Sequence, residues 1–445
     1  MARGLRVAGC VLGLVAFLGM TAACGKPEPT FARAAPPLHQ VSSLLPCLGT
    51  PAWKPLPTSD AAALVQEITA RVQAIRGHRF NKDVAPEFLP REEVGRRVAD
   101  KLNTEYSVDE ADIDRRILVA FGALPVDTNL RTLVAQLLSG QVVGFYDTKT
   151  DELVVADTEP TSPLGLSAQT TLAHELDHAL VDAALGLPDK QLEGPSDAAL
   201  ATLALVEGDA VLAQEQFALT ATPPDQQLGL AGSVELEAAL AQAQLEDFPY
   251  VLRAELTFPY TEGTMFVCSL YTQGGWRAVD NAYRELPTTT AQILFPERYA
   301  AREGAVDPRD PGALGGPYRR THIDTIGAVE LMWLFQAPGD NLDAGIDDPL
   351  GAARAWAGGE LHLWTDGPAT AVGVALVDRT NQGTLCAAVA DWYRAAFPGD
   401  RAAEHRSGEK LARDGLAQDA VLRCDGRDVR LGIAPDLDAA RALTR

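Results

Sequence analysis

Basic residues are scarce in this chain: 38 lysines and arginines stand against 60 aspartates and glutamates among 445 residues, a formal charge of −22. Such a surface argues against nucleic acid and against electrostatic adhesion to anionic lipid, because both require clustered cations. Cysteine is sparse too, with 6 in all, no Cys-x-x-Cys pair and no Cys/His cluster, so the cysteines point to no metal site of their own. The N-terminal apolar run, Val7 to Met20, is too short to be a comfortable membrane span. No internal repeat is visible. What remains is ordinary: 47% hydrophobic residues exclude general disorder, and the length allows two or three domains.

The N-terminus reads as an export signal. Arg3 and Arg6 precede the apolar run, and Thr21-Ala22-Ala23-Cys24-Gly25 follows it. Small residues placed directly before a cysteine resemble a bacterial lipobox, which implies that residues 1–23 are removed and Cys24 carries lipid. Loss of Arg3 and Arg6, with no acidic residue in that stretch, takes the charge from −22 to −24. The next segment, 24–58, holds eight prolines between Pro27 and Pro57 and reads as a stiff, unfolded tether. With Cys10 lost and Cys24 lipidated, Cys47, Cys268, Cys386 and Cys424 remain for two disulfides in an oxidising compartment. Cys386 and Cys424 share one C-terminal module and are paired here, leaving Cys47 with Cys268. Buried free thiols are the competing reading.

Folding is expected to begin near Asp60. Leu64, Val65, Ile68, Val72 and Ile75 recur at helical spacing, and Gly77 ends that helix. Residues 59–138 read as a helical N-terminal region without chemical signature. At Gly140 the period changes, and Gln141–Asp147 with Glu152–Val155 reads as a hairpin. Residues 139–340 are expected to form the catalytic core. Residues 341–445 read as a small β-β-α-β-β-α module. The expected class is α+β, predominantly helical.

The chemistry is concentrated in His174-Glu175-Leu176-Asp177-His178, an HExxH motif. On a helix, residues four apart share a face, so both imidazoles can reach one metal ion, with Glu175 beside them to take a proton from water. The chain has 7 histidines, and chance yields this pattern in only about one such chain in a hundred. The bland alternative is a helix with two surface histidines. Catalytic zinc needs a third protein ligand. The extended HExxHxxGxxH form is excluded, because Val181 and Ala184 occupy its last two positions. Downstream, an almost wholly apolar helix carries Glu207 and Asp209, and a carboxylate buried there costs several kcal/mol unless it is paired or bound to metal. Glu207 is therefore the expected third ligand, with a core salt bridge as its competing role. Gly208 inside that helix points to a close approach by another element.

Ala173-His174-Glu175-Leu176-Asp177-His178-Ala179-Leu180-Val181-Asp182, followed by Val206-Glu207-Gly208-Asp209-Ala210, resembles the gluzincin clan of zinc metallopeptidases. More narrowly it resembles a group of exported bacterial proteins carrying a Gly-Phe-Tyr-Asp strand, HELxHALxD and a VEGDA helix in this order. The resemblance implies a zincin-like core, one Zn2+ held by His174, His178 and Glu207, and Glu175 as general base. Phe295 departs from that group, which has histidine in a Leu-His-Pro segment. Asp182 and Asp209 are candidates to hold the ligands from outside, with surface or capping roles as alternatives. Tyr260, Tyr271 and His322 are candidate oxyanion donors. His39, His78, His362 and His405 stand alone and are assigned nothing, while Trp276, Trp333, Trp356 and Trp364 read as core aromatics.

The leading expectation is zinc-dependent peptide hydrolysis by a lipid-anchored protein of the bacterial cell envelope, with peptide or protein as substrate and the membrane met only through lipid. Two other readings stand beside it: a catalytically silent zincin-fold lipoprotein that binds or scaffolds a partner, and a zinc amidase acting on cell-wall peptide.

Overall fold

A computed structural model describes residues 46–49, 52–57, 60–156, 164–194, 196–227 and 245–445. The signal segment, Cys24 and most of the tether lie outside the described residues. The protein is mixed α+β, 52% helical and 17% strand.

The N-terminal helix, Ala61–Arg76, starts where the Asp60 carboxylate accepts from the Ala62 amide, and stops where Gly77 turns left-handed at φ 75°. Its Leu64, Ile68 and Val72 pack with Leu172, Leu176 and Leu180 of the histidine helix, Leu166–Leu185. Between them in sequence lies a three-stranded sheet of β1 (Glu87–Leu89), β2 (Gly144–Asp147) and β3 (Glu152–Ala156), in the order β1-β3-β2. The hairpin β2–β3 is antiparallel and β1 adds in parallel to β3. Three residues carry too little pattern to announce β1 in advance. Its addition leaves β2 as an outer strand.

The glutamate helix, Ser196–Ala221, is 26 residues long, about 39 Å, and buried along most of its length. Against it lies the crossing helix, Tyr250–Gly274. The two backbones touch at paired glycines. A Cβ on Gly208 would sit 2.3 Å from the backbone of Gly263, and a Cβ on Gly263 would sit 2.2 Å from the Ala204 carbonyl oxygen. The expected close approach at Gly208 is thus another helix backbone.

The C-terminal sheet is larger than the order β-β-α-β-β-α allows. Seven strands, β4 (Arg319–Thr325), β5 (Trp356–Asp366), β6 (Ala369–Asp378), β7 (Arg401–Ala402), β8 (Glu409–Asp414), β9 (Asp419–Asp425) and β10 (Asp428–Ala434), run in the order β4-β5-β6-β10-β9-β8-β7. β4 precedes the expected boundary at residue 341 yet pairs along β5, from Arg319 with Thr365 to Thr325 with Glu360. Leu361 and Leu363 face the main core with Leu385, Val389 and Trp392 of the helix Thr384–Ala396. Trp364 and Ala371 face the other side, under Ala440 and Leu443. β4 also reaches the glutamate helix: Asp324 accepts from the Ser196 amide at 3.2 Å and from its hydroxyl, capping the helix start. Asp197 accepts there from the amide and hydroxyl of Thr290, at 2.9 and 2.5 Å. Disulfides join Cys47 to Cys268 and Cys386 to Cys424.

Candidate metal centre

His174 and His178 stand one turn apart on the histidine helix, their ring centroids 4.7 Å apart and nearly perpendicular. From the facing helix Glu207 enters between them. Its Oε2 lies 3.3 Å from His174 Nε2 and 3.4 Å from His178 Nε2, and one donor atom from each of the three residues falls within 4.8 Å of the others. A tetrahedral zinc with ligand distances of about 2.0–2.1 Å holds its donors about 3.3–3.4 Å apart. The nitrogen–oxygen separations match that edge length. All three residues are buried, at most 3% exposed.

The three groups and their acidic neighbours perturb one another's protonation. Burial opposes ionisation of Glu207, but His178 and His174 beside it bring its pKa down to about 2. Burial likewise disfavours an imidazolium at His178, yet Glu207, Glu175 and Asp177 lift it to about 9. His174, wholly buried and next to His178, goes the other way and is lowered. The donor set is two imidazoles and one carboxylate with an excess of negative charge around it, which fits a divalent ion.

Glu175 is fully buried, and the Tyr146 backbone amide of β2 approaches its carboxylate without closing a full hydrogen bond. Burial, reinforced by Glu207 and opposed by His178, raises its pKa well above the usual carboxylate range. β2 passes directly over it. A Cβ on Gly144 would lie 3.0 Å from Glu175 Oε1, 3.0 Å from the Val154 carbonyl and 2.7 Å from Thr171 Cγ2. Only glycine lets this strand lie so close to the carboxylate.

One residue beside this set was not expected from the sequence. Gln214 Oε1 lies 3.1 Å from His174 Nδ1 and fixes the ring so that Nε2 faces Glu207. Gln214 is seven residues after Glu207, two helical turns along the same face, a spacing that could have exposed it in sequence. Asp182 instead accepts from the Tyr146 hydroxyl and the Leu187 amide, both at 3.0 Å, tying the hairpin to the end of the histidine helix. Asp209 accepts from Arg76 at 3.1 Å and from the Tyr283 hydroxyl at 2.8 Å. Among the oxyanion candidates Tyr260 is beside the site, its ring centroid 6.4 Å from that of His174. Tyr271 packs edge-on to Trp276, and His322 sits on β4. Phe295 is buried with the Arg354 guanidinium 3.9 Å from its ring centroid, a packing role.

No protein-family model, curated protein or solved structure matches this chain. A second group, Asp310, Glu360 and His362, also brings donor atoms together, but His362 is paired with Glu360 at 2.7 Å and Asp310 is exposed. A cavity of about 590 Å3 lies beside Asn103, Arg115, Asn129 and Arg131 and includes none of the His174, Glu175, His178 and Glu207 set. Among the described residues no helix is long and apolar enough to cross a membrane.

Proposed function

We propose that the chain is a gluzincin-like zinc peptidase of the bacterial cell envelope, anchored through lipid on Cys24. The observation that carries this reading is the 3.3 and 3.4 Å spacing of Glu207 from the two imidazoles, both equal to a tetrahedral zinc edge, inside a buried donor set. His174, His178 and Glu207 would hold the ion. When bound there, zinc supplies Lewis acidity and lowers the pKa of water.

This chain's own residues do the rest. A Glu175 carboxylate oxygen takes one proton from the water whose oxygen attacks the scissile carbonyl carbon. As the carbon–nitrogen bond breaks, the same oxygen passes that proton to the departing amine. β2 is an outer strand of its sheet and runs beside Glu175, which makes its edge the candidate to hold an extended peptide. Tyr260, whose ring lies beside that of His174, is the candidate to donate a hydrogen bond to the carbonyl oxygen as it gains negative charge.

A binding protein that uses zinc only for structure draws support from the burial of the whole set, including Glu175. One experiment separates the readings. Zinc per chain is measured, and unfolded protein and cell-wall peptide are incubated with the wild type and with Glu175→Gln. One zinc per chain with cleavage lost in the variant is expected, and the substrate cut separates peptidase from amidase. Zinc without cleavage moves the assignment to the binding protein, and no zinc sinks the site.

A further inference from the structure

The Arg76 side chain is 0% exposed and lies among three carboxylates. Its Nε donates to Asp177 at 3.0 Å, and its Nη2 donates to Asp209 and Asp280, both at 3.1 Å. The Trp276 ring covers the guanidinium at 4.1 Å. Tyr283 donates to Asp209, and His78 pairs with Asp280 at 3.0 Å. Asp177 immediately precedes His178, and Asp209 follows Glu207 by two residues. A single planar cation therefore grips both ligand-bearing helices next to their ligands, from the far end of the N-terminal helix.

We infer that Arg76 is the positioning residue of the metal centre, setting the rotation of the histidine and glutamate helices so that His178 and Glu207 converge. This rests on the zinc-site reading above. On a helix, consecutive residues point about 100° apart, so Asp177 and Asp209 project on other faces than their neighbouring ligands. Holding those two carboxylates in one plane fixes each helix about its own axis. At roughly 6 Å from the axis, a rotation of about 10° moves a ligand atom by about 1 Å. Zinc coordination tolerates a few tenths of an ångström. Arginine suits the task because its planar fork has several donors in fixed directions, whereas lysine offers a single point charge.

The test measures zinc affinity by chelator competition together with unfolding of the metal-free chain. Arg76→Met is expected to bind zinc about 10–100-fold more weakly, the usual cost of losing an outer partner of a metal ligand. Arg76→Lys is expected to fall between. Leu363→Ala, which weakens the remote seven-stranded sheet, is the control and is expected to lower stability while keeping wild-type affinity. A folded Arg76→Met with wild-type affinity overturns the inference. So does an equal loss in Leu363→Ala, since affinity would then follow stability alone. If Arg76→Met does not fold, Asp280→Asn decides: a several-fold loss is expected, and unchanged affinity overturns the inference. A wild type that binds no zinc overturns the site itself, an outcome distinct from tight wild-type binding that Arg76 does not influence.

Discussion

Gly208→Ala sets two opposed effects against each other, and the structure decides between them. In an exposed helix interior the change would stabilise by about 1 kcal/mol, since alanine loses less backbone freedom on folding. Here the new Cβ would meet the carbonyl carbon and oxygen of Gly263 at 2.3 Å and the Thr264 amide nitrogen at 2.7 Å, where ordinary contact begins at 3.4 Å. Those atoms are backbone and cannot swing aside. The glutamate and crossing helices must therefore part by about 1 Å. Overpacking of this kind costs about 1–3 kcal/mol. A gap of about 0.5–1 Å also forfeits a quarter to a half of each contact along the seam. The net expectation is destabilisation of about 2 kcal/mol, read as a lower urea midpoint for the metal-free chain. Because Glu207 adjoins the crossing, zinc affinity should fall with it. Gly263→Ala, whose Cβ would lie 2.2 Å from the Ala204 carbonyl oxygen, should behave alike. Stabilisation by about 1 kcal/mol in either variant would refute the close crossing.

Three further outcomes are expected. Gly144→Ala should retain zinc yet lose most peptide cleavage, because the added methyl crowds Glu175 Oε1 at 3.0 Å and Thr171 at 2.7 Å; zinc content and turnover measured on one preparation check this. Asp197 has its pKa raised by burial from 3.8 to about 6, against the opposing hydrogen bonds from Thr290. Its contribution is thus fully present below about pH 3.8 and lost as pH rises through about 6, so its advantage over Asn in Asp197→Asn should shrink by roughly 3 kcal/mol between those limits, as unfolding curves in urea would record. Paired replacement of Cys386 and Cys424 by serine opens a link of 38 residues and should cost about 3–4 kcal/mol, visible as a lower Tm than the wild type in the absence of reductant, with the Cys47–Cys268 link still in place in both.

The local parts of this protein were legible because local physics makes them. The helical period alone places His174, Glu175 and His178 together, and the cost of burying a bare carboxylate singles out Glu207 in its apolar helix. Gly208 announced a neighbour for the same kind of reason, since an interior helix glycine is unfavourable without one. The apolar stripe from Leu64 and the stop at Gly77 mark the N-terminal helix, and two short β-branched or aromatic runs around the turn at 147–151 mark the β2–β3 hairpin. β4 was not legible as part of the C-terminal sheet: it leaves the chain 31 residues before its partner β5 begins, and its pairing is a long-range hydrogen-bond choice.

HELDH and VEGDA by themselves determined which side chains offer donor atoms to a metal and which carboxylate is proposed to move a proton, because residue type and a 3.6-residue period suffice for that. Tertiary structure alone decided that Glu207 lies 3.3 and 3.4 Å from the two imidazoles, that Gln214 orients His174, and that Asp182 holds the hairpin instead of a ligand. It also decided the place of Arg76, which meets Asp177 across 101 residues of chain and Asp209 across 133. Contacts of that range are set by how helices pack and rotate against one another, and no local pattern in the chain encodes that rotation.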